Sequence, residues 1–108
     1  MRRAQVFYKN ELAGIISETD DGFQFKYNQQ YLDNMSSKPI SLTLPLQPES
    51  FKSKVLFAFF DGLIPEGWLL NIAVTNWKLK PNDRFGMLIT LCTDCIGCVS
   101  IIALNENL

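Results

Sequence analysis

The sequence predicts an α+β domain: a small, partly barrel-like antiparallel sheet with about three short helices packed on one side. Three observations lead there. β-prone runs and stretches of period-two alternation recur between residues 4 and 46, the apolar pattern changes to helical spacing from Val55, and a last β-prone run follows the cysteine cluster. Strands, then helices, then one closing strand is the order expected of helices gathered on one face of an antiparallel sheet.

The first element is a hairpin. "AQVFYK" and "LAGIIS" flank Asn10-Glu11, which reads as a tight turn. Glycine suits the second turn position better than Glu11, so the turn is expected to carry strain or an extra residue. Next, "GFQFKY" puts Phe23, Phe25 and Tyr27 on one face and Gln24 and Lys26 on the other, the mark of a half-buried strand. Asp20-Asp21-Gly22 before it lacks the continuation of a calcium loop and reads as a turn.

"NQQYLDN" predicts one short helical turn and "MSSKP" a loop. "ISLTLPL" alternates again, so Leu42, Leu44 and Leu46 are expected on one face of a strand that Pro45 and Pro48 end or hold at a sheet edge. "VLFAFFDGL" predicts a short helix stopping near Gly62. Pro65 then opens a second helix running to about Leu79, and Asn82 or Asp83 caps a third from about Arg84 to Leu91. "CVSIIAL" is the closing strand, and the 108 residues have the size of a single domain, 1–108.

Composition narrows the function. Ten Lys and Arg stand against eleven Asp and Glu, with no basic run longer than Arg2-Arg3, so direct nucleic-acid binding is not expected. No apolar run approaches the roughly 20 residues that span a bilayer, and the N-terminus lacks an apolar secretory core, which predicts a cytoplasmic protein without membrane contact.

There is no histidine, hence neither the usual general base nor the commonest metal ligand. "CTDCIGC" holds Cys92, Cys95 and Cys98 at CxxCxxC spacing but lacks a fourth thiolate. It reads as small, semi-buried residues at a helix-to-strand turn. Glu66 falls in a first helical turn, where its charge favours the helix dipole rather than acid–base work with Asp61. No catalytic group, metal or cofactor is expected, and the chain reads as a non-enzyme.

On the helix from Pro65, Leu69, Ile72, Ala73 and Trp77 share the core face at about 100° per residue. Trp68 lies about 100° from Leu69 and within about 60° of Asn71 and Thr75, at the margin of that face. Two readings of Trp68 stand side by side: a ring covering the neighbouring loop or helix, or an anchor for a partner.

These residues resemble the HipA N-terminal domain. "VFYKNELAG" is similar to that family's opening hairpin, keeping Asn10 and Gly14 with Glu11 in place of the usual glycine. "ISLTLPL" resembles its P-L-S-L-S-L-P-L stretch, and "FFDGLIPEGWLLN" its F-F-x-N-L-L-P-E-G segment. "DRFGMLITLCTDCIGCVSI" resembles its ending, with Asp94, Cys95 and Gly97 kept.

HipA proteins are serine/threonine kinase toxins, and this domain is their leading subdomain. The resemblance includes none of the kinase's ATP-binding loop, catalytic Asp loop or metal-binding Asp. It therefore implies a freestanding HipS-type antitoxin that restrains a separate HipT-like kinase, together with a HipB-like DNA-binding protein. Trp68 with Ile64, Pro65, Glu66, Gly67 and Asn71 is the expected partner-binding segment. The alternative is an assembly subunit that bridges the kinase and the DNA-binding protein without inhibiting catalysis.

Overall fold

A computed structural model describes residues 2–64, 83–92 and 99–104. β1 (Arg3–Tyr8) and β2 (Glu11–Thr19) form an antiparallel hairpin closed by the pair Tyr8 and Glu11. The turn is therefore Lys9-Asn10, one residue earlier than the sequence suggested. Both residues have positive φ, 50° and 69°, which gives the two-residue turn the twist that matches its strands.

Asn tolerates that conformation, whereas the Lys9 Cβ is crowded by it. The expected strain thus falls on Lys9. An extra residue is present as well: Val6 pairs with Gly14 and Phe7 with Leu12, so Ala13 bulges from β2. On its other side the Ala13 carbonyl accepts the Asn28 N–H at 2.7 Å, continuing the pairing of β2 with the next strand.

β3 (Gly22–Tyr27) pairs with β2, and β5 (Val99–Leu104) with β1. A three-residue strand β4 (Phe51–Ser53), absent from the sequence reading, adds to β3, giving the order β4-β3-β2-β1-β5 with every pairing antiparallel. Directly opposed residues share a face. One row across the sheet is therefore Ala4, Ile16, Phe25 and Phe51, and the next Ile101, Val6, Gly14 and Tyr27.

That face is the core. Gly14 belongs to it because a Cβ there would stand 2.4 Å from the Lys26 carbonyl oxygen and 2.9 Å from the Phe25 ring. Gly22, at φ 147°, takes a backbone conformation that a side chain disfavours, against the carbonyl of Ser53.

Among the described residues there are three helices: α1 (Gln29–Asp33), α2 (Ala58–Asp61) and α3 (Arg84–Leu91). Tyr31, Phe60, Phe85, Met87 and Leu88 from these helices join the strand residues in one buried cluster. Ring contacts show the layers meeting, with Phe60 5.5 Å from Phe25 and Phe85 5.8 Å from Phe23. Each fully buried large apolar side chain contributes about 1.5–3 kcal/mol relative to exposure.

The stretch Ile40–Leu46 corrects the sequence reading. It is not a strand: its single bridge, Ser41 with Leu44, closes on itself. Ile40 and Leu44 are buried, while Leu42 is 96% exposed and Leu46 37%. The three leucines therefore do not share a face.

Local hydrogen bonds replace a ladder here. Leu44 N–H donates to the Ser41 carbonyl at 3.1 Å, and Thr43 N–H to the Ser41 hydroxyl at 3.2 Å. The buried Tyr27 hydroxyl accepts from Ile40 N–H at 3.1 Å and donates to the Leu44 carbonyl. With those groups satisfied, no neighbouring strand is needed.

Candidate partner-binding site

Pro65, Glu66, Gly67, Trp68 and Asn71, with the helix expected around them, lie outside the described residues, as do Cys95 and Cys98. Ile64, the remaining residue of the expected segment, is described, and so are both flanks, 58–64 and 83–92.

The entry to the segment is built on Phe60, fully buried with Phe57 and Phe59 edge-on to its ring at 6.1 and 5.2 Å. After it the chain tightens: Leu63 N–H donates to Phe60 at 3.0 Å and Ile64 N–H to Asp61 at 3.2 Å, in i to i+3 turns typical of a helix end. Ile64 is only 2% exposed. Its side chain thus belongs to the core cluster.

The exit is held as firmly. Asp83 is the N-cap of α3, its carboxylate accepting the Gly86 N–H at 3.0 Å. The Arg2 guanidinium spans that same carboxylate, at 2.8 and 2.9 Å, and Glu18, at 2.7 and 2.8 Å, and its centre lies 5.4 Å above the Phe85 ring. Donating to Glu18 and then to Asp83 raises the Arg2 pKa, and the same hydrogen bond from Arg2 holds the Glu18 carboxyl below its ordinary value of 4.5.

Two contacts tie entry to exit. Arg84 Nε donates to Asp61 Oδ1 at 2.6 Å. The buried Cys92 thiol donates to the Leu63 carbonyl at 3.2 Å. Ile64 and Asp83, the described residues on either side, thus stand on one base formed by α2, α3 and the start of the chain.

Beside that base lies a groove of about 400 Å³. Apolar Phe23, Val55, Leu56 and Phe85 line it together with charged Lys54, Asp83 and the Asp61–Arg84 pair. Among the described residues no group of three or more His, Cys, Asp or Glu is placed to hold a metal ion.

The family model of the HipA N-terminal domain matches residues 4–102. The chain belongs to the HipA N-terminal domain family. A solved structure, the N-terminal domain of HipA toxin, superposes with a TM-score of 0.75 at 29% identity, over 98% of this chain and 95% of that one.

An uncharacterized protein of Haemophilus influenzae is 33% identical over 101 residues, 94% of this chain and 92% of its own length. The putative kinase Y4mE of Sinorhizobium fredii is 25% identical over 108 residues, 99% of this chain but 26% of the kinase. The HipA N-terminal domain is a non-catalytic domain, and no described helix is long and apolar enough to cross a membrane.

Sequence reasoning missed Arg2, taken only as half of a basic pair. Its partner Asp83 lies 81 residues away, a distance no local pattern bridges. It also missed the exposure of Leu42, for which Ser41 and Thr43 were the available signal, since such residues favour local turns.

Proposed function

We propose that this chain is a non-catalytic antitoxin that binds and restrains a separately encoded HipT-like serine/threonine kinase, in a complex that also holds a HipB-like DNA-binding protein. One observation carries the reading. The same domain that makes up 26% of a putative kinase fills 92% of a Haemophilus influenzae chain, so this fold occurs both joined to a kinase-length chain and nearly alone. A domain detached from its kinase keeps the surface that the covalent neighbour used, and an interface then replaces the peptide link.

Trp68 is the proposed anchor, with Pro65, Glu66, Gly67 and Asn71 around it. The support is the closed base from Ile64 to Asp83, which gives the segment between them two fixed ends. Fixed ends lower the ordering cost of binding.

The test combines growth with catalysis. Co-expression with the kinase should restore growth for the wild-type chain and fail for Trp68→Ala. The purified complex should show suppressed phosphotransfer. Rescue by Trp68→Ala equal to wild type removes the anchor, and full kinase activity in the complex replaces the antitoxin by a bridging subunit.

A further inference from the structure

Residues 39–47, "PISLTLPLQ", contain no charged side chain, although charged residues make up 19% of the chain. Pro39, Leu42, Pro45 and Leu46 are all exposed within this run. Scattered exposed apolar residues are ordinary and by themselves mean little. Concentration without charge is different, because the centre of an interface is depleted in charged residues and its rim is polar. Here Lys38 and Glu49 flank the run.

Rigidity is the second observation. Two residues to either side of Leu42 the chain is buried, at Ile40 and Leu44, and the Tyr27 hydroxyl bonds the backbone at both points. Tyr31 pins the entrance, its hydroxyl donating to the Lys38 carbonyl at 2.6 Å. Leu42 is thus held outward at the tip of a fixed turn. A backbone held in this way loses little further entropy on docking.

We propose that this turn is a second docking element for the kinase body, with Leu42 entering an apolar pocket on that body. The proposal rests on the antitoxin reading above and adds a contact outside the Trp68 segment. The occupant follows from the domain's two settings: in the putative kinase Y4mE most of the chain lies beyond the matched region and offers a body for such a domain to pack on.

A second copy fits less well. A two-fold contact needs a self-complementary face, and a convex tip meeting its own copy is not one. Insertion into the Phe23–Phe85 groove of another copy would be head-to-tail and need not close.

The experiment titrates wild type, Leu42→Ala and Leu42→Asp against the separately encoded HipA-type kinase, catalytically inactivated, and follows the mass of each free chain by light scattering. Wild type should bind, Leu42→Ala should bind several-fold more weakly, and Leu42→Asp should lose about tenfold or more. Both variants should melt within about 3 °C of wild type, since the side chain touches solvent.

Equal affinity of all three overturns the docking role and leaves the antitoxin reading standing. A wild type that does not bind the kinase overturns that reading and this one with it. If instead wild type self-associates, Leu42→Asp is monomeric and kinase affinity is unchanged, the turn covers a second copy and the proposal falls.

Discussion

β3 and the stretch Ile40–Leu46 begin from the same pattern, apolar and polar residues in alternation, and end as different structures. In β3, Phe25 pairs with Ile16 on one side and Phe51 on the other, so its face is fixed by two ladders. In 40–46 no neighbouring strand pairs with the backbone among the described residues, and its groups go to Tyr27 and Ser41 instead. Alternation assigns a face only where a ladder holds the pleat flat. Without one, buried positions fall four apart, at Ile40 and Leu44, and Leu42 points to water.

The sharpest break of this contrast is truncation at matched positions of the pattern. Phe25 is fully buried and touches the rings of Tyr27, Phe51 and Phe60. Phe25→Ala should cost about 3–5 kcal/mol, read from the urea midpoint. Leu42→Ala, the equivalent deletion in an equally alternating stretch, should stay within about 0.5 kcal/mol. Comparable losses at the two sites would mean that Leu42 packs against the fold in solution and that 40–46 does form a strand.

Next in size is the atom joining the two regions. Tyr27→Phe keeps the ring but leaves the Ile40 N–H and the Leu44 carbonyl without their partner inside the core. Stranding buried polar groups costs about 1–3 kcal/mol. Hydrogen exchange should accelerate at Ile40 while the β2–β3 ladder amides stay protected. Uniform acceleration would show that the turn and the sheet open together.

Much of the sheet was legible because hairpins carry local information: the β-prone runs, the Asn10 turn and the Phe23-Phe25-Tyr27 face all read correctly or within one residue. α3 was equally legible, since Asp83 is a local cap. Most of what was missed involves partners remote in sequence. β4 exists only because β3 offers it an edge, the 40–46 turn because Tyr27 reaches it across 13 to 17 residues, and the Arg2 cluster because the chain's start meets α3. For the candidate site, Ile64 illustrates the same limit. Sequence placed it beside Trp68 in a contact segment, and only three-dimensional packing shows that its side chain faces the core.

The Arg2 cluster at the chain's start and the Tyr27 hydroxyl that joins β3 to the turn titrate at opposite ends of the pH scale. Glu18, its pKa lowered by the Arg2 hydrogen bond, binds fewer protons folded than unfolded at acid pH. Its stabilisation is present above the ordinary carboxylate value of 4.5 and is lost as pH falls through the lower folded value. Tyr27, raised chiefly by burial, behaves in reverse: its contribution is intact below 10.0 and is lost as pH rises through the higher folded value. Glu18→Gln should therefore flatten the acid limb of a stability–pH curve and Tyr27→Phe the alkaline limb. Crossed effects would show that Glu18 does not govern the acid limb nor Tyr27 the alkaline one.

The smallest effect separates two causes of the turn. Ser41 bonds the Thr43 N–H and lies 3.0 Å from the Thr43 hydroxyl, both in exposed positions, where water replaces a lost partner at little cost. Ser41→Ala should thus cost about 0.5 kcal/mol, well below Tyr27→Phe, and leave exchange at Ile40 unchanged. The ranking matters more than either value. If Tyr27→Phe dominates, the core diverts this stretch from strand to turn by reaching out to it with a buried hydroxyl. If Ser41→Ala costs as much, the diversion is local chemistry that the Ser-x-Thr spacing had already announced.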